Sequence, residues 1–411
     1  MSEEDAVCLG CGGSLPAPFL DLGKAPLANA LVRPEYLHIP EARYPLSVAF
    51  CGTCSLVQLT HRVPPEQMFS EYFYVSSYSD TFLAHARDMA QSLIERFQLG
   101  PMSRVIEIAS NDGYLLQYFQ EHGIPVLGVE PATNIAAMAT DRGIPTLNRF
   151  FGPDVVKEIL EQFGQADLII GNNVLAHVPE INDFLGAVKS CLKPSGTAVF
   201  EFPYVRDLLE RTEFDTIYHE HVFYFSLSGV KKLGERAGLH LIDVSRVPIH
   251  GGSLRVFLAH QPTQPASANV EAALAEEDVL GLTKPERYAF FNEQVAKLKR
   301  NLLEVLSKLR ASGKRGAGYG APAKASTLLN YCGIGRDYLD FTVDRSPQKQ
   351  GLYLPGTHIP IHPPEKINQV RPDYLLILPW NLKEEIMEQM AFIREWGAQF
   401  VIPVPQPVVV P

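Results

Sequence analysis

The stretch SRVIEIASNDGYLLQYF, residues 103–119, decides the fold. It starts as an apolar strand, turns at Ala109-Ser110-Asn111-Asp112-Gly113, and resumes with apolar residues at helical spacing. The same rhythm repeats outward. VLGVEP ends a second strand at Glu130, DLIIGNNVLAHV starts a third at Asp167 and turns at Asn172-Asn173, and GTAVFEFPY supplies another from Gly196. Strands alternating with helices at this spacing predict an open α/β sheet, Rossmann-like, with ligands bound outside the carboxyl ends of its strands.

The strand ends favour one cofactor class. No GxGxxG is present to cradle a pyrophosphate, which argues against a dinucleotide. Glu107 lies late in the first strand, and Glu130 at the end of the second, where a carboxylate can accept from ribose hydroxyls. The short polar loop at Asn111 suits an amino-acid moiety. The ordered set points to S-adenosylmethionine, although Glu130 also reads as a solvated strand-end acid and Asn173 as a turn residue.

The chain continues for 411 residues, too many for one core. Hydrophobic residues make up 46% and charged residues 20%, a balance that builds folded cores. With 36 Lys+Arg against 46 Asp+Glu, the net charge is -10, so general nucleic-acid or acidic-membrane binding is disfavoured. The first six residues are polar and acidic, and no apolar run reaches spanning length, so the expectation is a cytoplasmic protein.

Four of six cysteines form two CxxC pairs, Cys8/Cys11 and Cys51/Cys54; Cys191 and Cys332 stand alone. In a reducing compartment such pairs favour zinc over disulfides. Four thiolates fill a tetrahedral Zn(II) and leave no open position, so the metal is expected to be structural. A redox pair or plain reduced thiols are the alternatives.

FDTIYHEHVFYF, residues 214–225, is dense in chemistry. On an extended segment Tyr218 and Glu220 share one side and His219 and His221 the other; a turn would regroup them. The set offers a phenol for an oxyanion, a carboxylate to orient a base, and imidazoles that titrate near neutrality. His-x-His as metal ligands and a purely internal hydrogen-bond cluster are the competing readings.

In the last third, Thr283 and Glu286 are spaced as a capping box. Tyr288, Phe291, Val295, Leu298, Leu302, Val305 and Leu309 then form the stripe of a long amphipathic helix. KRGAGYGAPAKASTLLNYC, residues 314–332, opens a second α/β unit with a helix from about Ala323. Its further strands end at Asp344 and Trp380, and FVIPVPQP closes the chain. Gly318, Gly320 and Pro322 can bring backbone donors to a phosphate, and Lys324 can add a charge.

Taken together, the sequence resembles the S-adenosylmethionine-dependent sugar C-methyltransferases that modify dTDP-keto-deoxysugars, of the type with a zinc-binding N-terminal domain. The resemblance spans nearly the whole chain. It rests on the CxxC pairs, PLAN (26–29), RYPL (43–46), EIASNDG (107–113), FDTIYHEH (214–221), HGGSLRVF (250–257), GYGAPAKASTLLN (318–330) and LPGTHIP (354–360). It implies His221 as general base, Tyr218 as the phenol facing a keto oxygen, Glu220 as a sugar-hydroxyl or imidazole-orienting group, and Tyr72 as a further active-site tyrosine. The implied cofactor residues are Glu107, Ala109, Asn111, Gly113, Glu130, Pro131 and Asn173. Tyr74, Tyr204, His219, Lys324, Ser326, Asn330, Lys349 and His358 are substrate candidates, and Cys8, Cys11, Cys51 and Cys54 the zinc ligands. The expected organisation is a zinc lobe (1–68), a methyl-donor domain (69–282) and a linking helix with a nucleotide-sugar domain (283–411). A monomer or weak homodimer is expected, acting on a dTDP-linked keto-deoxysugar through an enolate, at C3 or, alternatively, C5. An O- or N-methyltransferase, or a zinc-bearing nucleotide-binding scaffold, are the rival functions.

Overall fold

The computed structural model describes residues 7–64, 66–69, 76–78, 80–260 and 266–411. Near the amino terminus, β1 (Leu20–Ala25), β2 (Tyr44–Cys51) and β3 (Leu56–Leu59) form an antiparallel meander. The tight β2–β3 turn carries the second CxxC and is closed by Ser55 at φ 60°. The fourth strand of this sheet comes from far along the chain. Phe223–Tyr224 pairs with β3 at Val57↔Tyr224 and Gln58↔Phe223. Every residue of β3 is buried, so its hydrogen-bonding edge would be costly to leave unpaired.

The α/β alternation becomes a seven-stranded sheet. Parallel strands β4 (Val105–Ile108), β5 (Val126–Val129), β6 (Thr146–Leu147), β7 (Ala166–Asn172) and β8 (Leu192–Pro203) lie in the order 6-5-4-7-8. With the amino-terminal sheet's late strand numbered β9, the antiparallel β10 (His240–Val247) and β11 (Ser253–Ala259) extend the β8 edge. All four residues of β4 are buried, as expected for a parallel strand with helices over both faces. From β4 the chain runs first to one side and then to the other, so a crevice opens between the carboxyl ends of β4 and β7.

The last third forms a six-stranded sheet in the order β14-β13-β12-β15-β16-β17, parallel except for the final strand. These are Gly316–Tyr319 (β12), Thr342–Val343 (β13), Ile361–His362 (β14), Tyr374–Ile377 (β15), Gln399–Ile402 (β16) and Val408–Val410 (β17). A second crevice opens between β12 and β15, beside the helix Ala323–Cys332. The long amphipathic helix is present as Phe291–Ala311, with Phe291, Val295, Leu298, Leu302 and Leu306 buried. Its capping box is not. The chain kinks at Phe290 after the short helix Glu286–Ala289, whose N-terminus has Pro285 and no side-chain cap. At 3.6 residues per turn the stripe also drifts, so Leu306 is buried where Val305 was expected.

A buried acid joins these parts. Glu277 is fully buried and accepts from Leu227 N (2.6 Å), Ser228 N (2.9 Å), Ser228 Oγ (2.6 Å) and Tyr204 Oη (2.8 Å). It therefore serves as a remote cap on the helix Leu227–Ala237. Glu277→Ala strands several buried donors and is expected to lower unfolding stability by about 3 kcal/mol or more in urea denaturation. Glu277→Gln, which keeps one acceptor, should lose less.

Candidate active site

The candidate cofactor crevice, at the carboxyl end of β4, is built from the ASNDG loop. Ala109 (φ 54°), Asn111 (φ 49°) and Gly113 (φ 78°) alternate in the left-handed region. Such alternation turns successive N–H groups toward one concave side. At Gly113 a Cβ would sit 2.7 Å from Ile144 Cγ1, so glycine is required by both conformation and space. Glu130 clasps the loop, accepting from Asn111 N at 3.0 Å and Ala132 N at 2.9 Å. Asn148 Nδ2 holds the Glu130 and Pro131 carbonyls, both at 2.9 Å. Arg142 donates to Asp112 at 2.5 Å, and Ser76 N to Asn111 Oδ1 at 2.8 Å.

Glu107 is fully buried, and neither carboxylate oxygen meets a donor of normal geometry among the described residues. Burial, then the neighbouring charges of Asp112 and Glu130, push it well above the usual carboxylate range, with Tyr114 working the other way. A crevice with three buried carboxyls favours a cationic ligand and disfavours a pyrophosphate. It fits S-adenosylmethionine, whose sulfonium and ammonium are positive. Asn173, at φ 55°, donates its backbone N–H to Glu201 O at 2.7 Å, and its side-chain oxygen is buried. Beside it, Glu201 is held by His85 Nε2 (2.7 Å) and Arg255 Nε (2.9 Å). Burial raises this carboxyl, but His85 and Arg255 outweigh it and keep the group low.

The FDTIYHEH segment forms a turn, so the extended grouping does not hold. His221 N donates to Tyr218 O at 2.9 Å, which folds the segment over His219-Glu220. Tyr218 and His221 now face each other, with ring centroids 4.0 Å apart and Oη 2.8 Å from Nε2. His221 Nδ1 lies 2.9 Å from the Thr216 carbonyl. A carbonyl only accepts, so Nδ1 carries the proton and Nε2 presents its lone pair. The Thr216 carbonyl, rather than Glu220, thus orients the imidazole. Val222 N donates to Ala176 O at 2.7 Å, and the His177 ring meets His221 edge-on at 4.8 Å. Both contacts set the pair beside the carboxyl end of β7. Burial draws His177 down to about 4, so it is neutral.

Glu220 and His219 turn the other way, into the amino-terminal lobe. Glu220 Oε1 accepts from Asn29 Nδ2 at 2.7 Å, and burial pushes the carboxyl up to about 7. His219 Nε2 lies 3.3 and 3.2 Å from the Tyr44 and Pro45 carbonyls. That contact removes the ring from any His-x-His pair. Tyr204 is buried with its hydroxyl on Glu277. Tyr72 and Tyr74 lie outside the described residues.

The remaining candidates gather in the carboxy-terminal unit. Lys324 Nζ donates to Asn381 Oδ1 at 2.8 Å and sits 4.3 Å from the Trp380 ring. Burial raises Glu213 to about 8 and Asp215 to about 6, and Lys324 opposes both rises. Burial in turn draws Lys324 below the usual lysine range, with Asp215 and Glu213 opposing. Asn330 bonds the Ser326 and Pro355 carbonyls, at 2.9 and 3.0 Å, and accepts from Arg43 at 3.4 Å. Ser326 is buried beneath it. His358 Nε2 lies 2.7 Å from Glu41 Oε1, and Lys349 donates to Ala321 O at 3.0 Å. Arg43, Asn29, Glu41 and His177 escaped the sequence reading as individual residues. PLAN and RYPL carried two of them as motifs, and Glu41 lies two residues before RYPL.

All four Sγ atoms of Cys8, Cys11, Cys51 and Cys54 lie within 4.8 Å of one another, with no disulfide. The closest pairs are 3.4 Å (Cys8–Cys54) and 3.6 Å (Cys11–Cys51). Zn–S bonds of about 2.3 Å in a tetrahedron place sulfurs about 3.8 Å apart, so the cluster has zinc dimensions. Cys54 hydrogen bonding pulls Cys8 down to about 5, which prepares a thiolate.

Chelation or Cys51→Ser should remove zinc, by metal analysis, and open the amino-terminal lobe to proteolysis. A separate pH test concerns Glu220. Its folded carboxyl is raised, so the unfolded chain releases this proton first and stability falls as pH rises toward about 7. Glu220→Gln is expected to gain melting temperature relative to wild type on going from about pH 5 to about pH 8.

Comparison with known proteins follows the same three parts. A putative zinc binding domain matches residues 8–69, a methyltransferase domain residues 82–244 and a C-methyltransferase C-terminal domain residues 248–405. The C-methyltransferase NovU of Streptomyces niveus is 37% identical over 409 residues, 98% of this chain and 96% of that protein. A ubiquinone biosynthesis O-methyltransferase of Rhodopseudomonas palustris (strain HaA2) is 32% identical over 99 residues, 23% of this chain and 38% of that protein. The solved magnesium protoporphyrin IX methyltransferase of Synechocystis PCC 6803 covers 44% of this chain and 82% of its own, at 14% identity and TM-score 0.33. With zinc-binding, methyltransferase and C-methyltransferase C-terminal domains in this order and full-length likeness to NovU, the chain belongs to the C-methyltransferase family and is an S-adenosylmethionine-dependent enzyme.

Proposed function

We propose that the enzyme methylates the carbon alpha to the ketone, C3, of a dTDP-linked 4-keto-deoxysugar. One observation carries this reading. The bond from His221 Nδ1 to the Thr216 carbonyl, 2.9 Å, sets the Nδ1–H tautomer of the neutral imidazole, with Nε2 turned to a phenol as the candidate base. Attack through oxygen or nitrogen needs no such carbon base.

In the proposed reaction His221 Nε2 takes the alpha proton and the C–H electron pair moves onto the keto oxygen. Tyr218 Oη, which faces Nε2 in this structure, turns to donate to that oxygen as its charge develops. The imidazolium formed is stabilised by the Thr216 carbonyl. Glu107, Ala109, Asn111, Gly113, Glu130, Pro131 and Asn173 hold the cofactor, and Tyr72 or Tyr74 supplies a second phenol. When bound, S-adenosylmethionine supplies an electrophilic methyl group for the carbanion. Zinc plays no part in the chemistry and maintains the amino-terminal lobe. The carboxy-terminal unit, from about residue 283, holds the nucleotide. No helix among the described residues is long and apolar enough to cross a membrane, and reduced zinc thiolates suit a cytoplasmic setting.

The test combines a panel of dTDP-4-keto-deoxysugars with labelled methyl donor, and NMR to locate the methyl. A new C–CH3 at C3 is expected; a methyl at C5, oxygen or nitrogen contradicts the proposal. Without methyl donor, the wild-type enzyme should exchange the C3 proton for deuterium. Folded His221→Ala should lose about 100-fold or more of that exchange, and undiminished exchange would remove His221 as base.

A further inference from the structure

The carbonyl that fixes the base belongs to a strand of chain gripped from outside its own domain. Thr216 is flanked by Asp215 and Ile217, and each is held by the carboxy-terminal unit. Trp380 Nε1 donates to Asp215 Oδ2 at 2.7 Å, and Thr327 Oγ1 donates to the Ile217 carbonyl at 2.8 Å. Asp215, Thr327 and Trp380 are buried, so both bonds form where water cannot compete. The ring of Tyr331 packs edge-on against Phe214 at 5.3 Å.

The placement of the two donors matters. Trp380 follows β15 and Thr327 lies on the helix after β12, so they stand on the two sides of the second crevice. The short 3-10 helix Phe214–Thr216 bridges them. Thr216 also donates its own hydroxyl back to Glu213 O at 2.7 Å, which leaves its carbonyl free to face His221 Nδ1. The peptide unit is thus pinned one residue before and one residue after the atom that matters.

We propose that Trp380 and Thr327 are positioning residues for the methyl transfer: from the carboxy-terminal unit they hold the Thr216 carbonyl where it locks His221 in its Nδ1–H form. The carboxy-terminal unit then contributes to proton removal as well as to binding. The inference rests on His221 acting as the base.

The proposal separates the two donors from substrate affinity. Thr327→Val removes one hydrogen bond at nearly constant volume, and Trp380→Phe removes the other while keeping an aromatic ring of smaller size. Each is expected to lower kcat and donor-free C3 exchange by about tenfold, because a base displaced by a fraction of an ångström loses reactive geometry. KM for the sugar nucleotide and affinity for the methyl donor should stay within about twofold, since both bonds are made within the protein, to Asp215 and to the Ile217 carbonyl. Thr327→Ser, which keeps the hydroxyl, should recover most of the loss. Raised KM with unchanged kcat would overturn the proposal, as would Thr327→Ser falling as far as Thr327→Val. Circular dichroism and zinc content establish that each variant is folded; a variant that fails them is replaced by Asp215→Asn, which weakens the Trp380 bond from its other side. Failure of the underlying reading has a different signature. If folded His221→Ala still exchanges the C3 proton, the base assignment falls. If it does not, and the two variants leave kcat unchanged, only the positioning role falls.

Discussion

The hydrogen bond from His221 Nδ1 to the Thr216 carbonyl decides which imidazole nitrogen can accept a proton. Much of the molecule is arranged to keep both ends of that bond in place. The segment 214–225 is fastened to every part of the protein. Asp215 and Ile217 are held by the carboxy-terminal unit. His219 and Glu220 are held by the amino-terminal lobe, and Val222 by the loop after β7. Phe223 and Tyr224 complete the amino-terminal sheet. A zinc cluster of four cysteines closes that same sheet at its β2–β3 turn. The cysteine cluster, the sheet and His221 therefore lie on one continuous load path.

The two α/β units share a local device and differ in charge. In the central sheet Glu130, beyond β5, accepts the Asn111 N–H of the loop after β4. In the carboxy-terminal sheet Asp344, beyond β13, accepts the Ala321 N–H at 2.8 Å. Each acid fixes the loop that opens a crevice at the point where strand order reverses. The central crevice then adds Glu107, which burial pushes well above the usual carboxylate range, and Asp112, which pairs with Arg142. At the second crevice Lys324 lies beside Glu213 and Asp215; burial draws it below the usual lysine range and the two acids oppose that fall. The net charge of -10 thus coexists with two crevices of quite different make-up.

What could be read from the sequence followed from local patterns. β4, β5 and β7 were legible because buried parallel strands are continuous apolar runs, and the ASNDG turn because glycine and asparagine tolerate left-handed backbone. The zinc cluster followed from ligand type and spacing. What escaped depends on partners distant in sequence. Period-two reasoning put Tyr218 on the opposite side from His221, whereas the observed turn is enforced by bonds to residues 29, 44 and 45. Nothing local announces that Glu277 caps a helix fifty residues earlier, or that Trp380 reaches Asp215. The capping box at Thr283 and Glu286 failed because Pro285 already opens the helix there. That Lys324 lies beside Glu213 and Asp215 was equally invisible, since those neighbours arrive only through the tertiary fold.

The most direct test of the account is 15N NMR of selectively labelled His221 in the resting, zinc-loaded enzyme. The account predicts a neutral imidazole protonated at Nδ1, with an unprotonated Nε2 that accepts a hydrogen bond. It further predicts that the Nδ1 signal loses its hydrogen-bonded character in Thr327→Val. A resting imidazole protonated at Nε2, or one whose Nδ1 signal ignores Thr327, would contradict the claim that the Thr216 carbonyl sets the base.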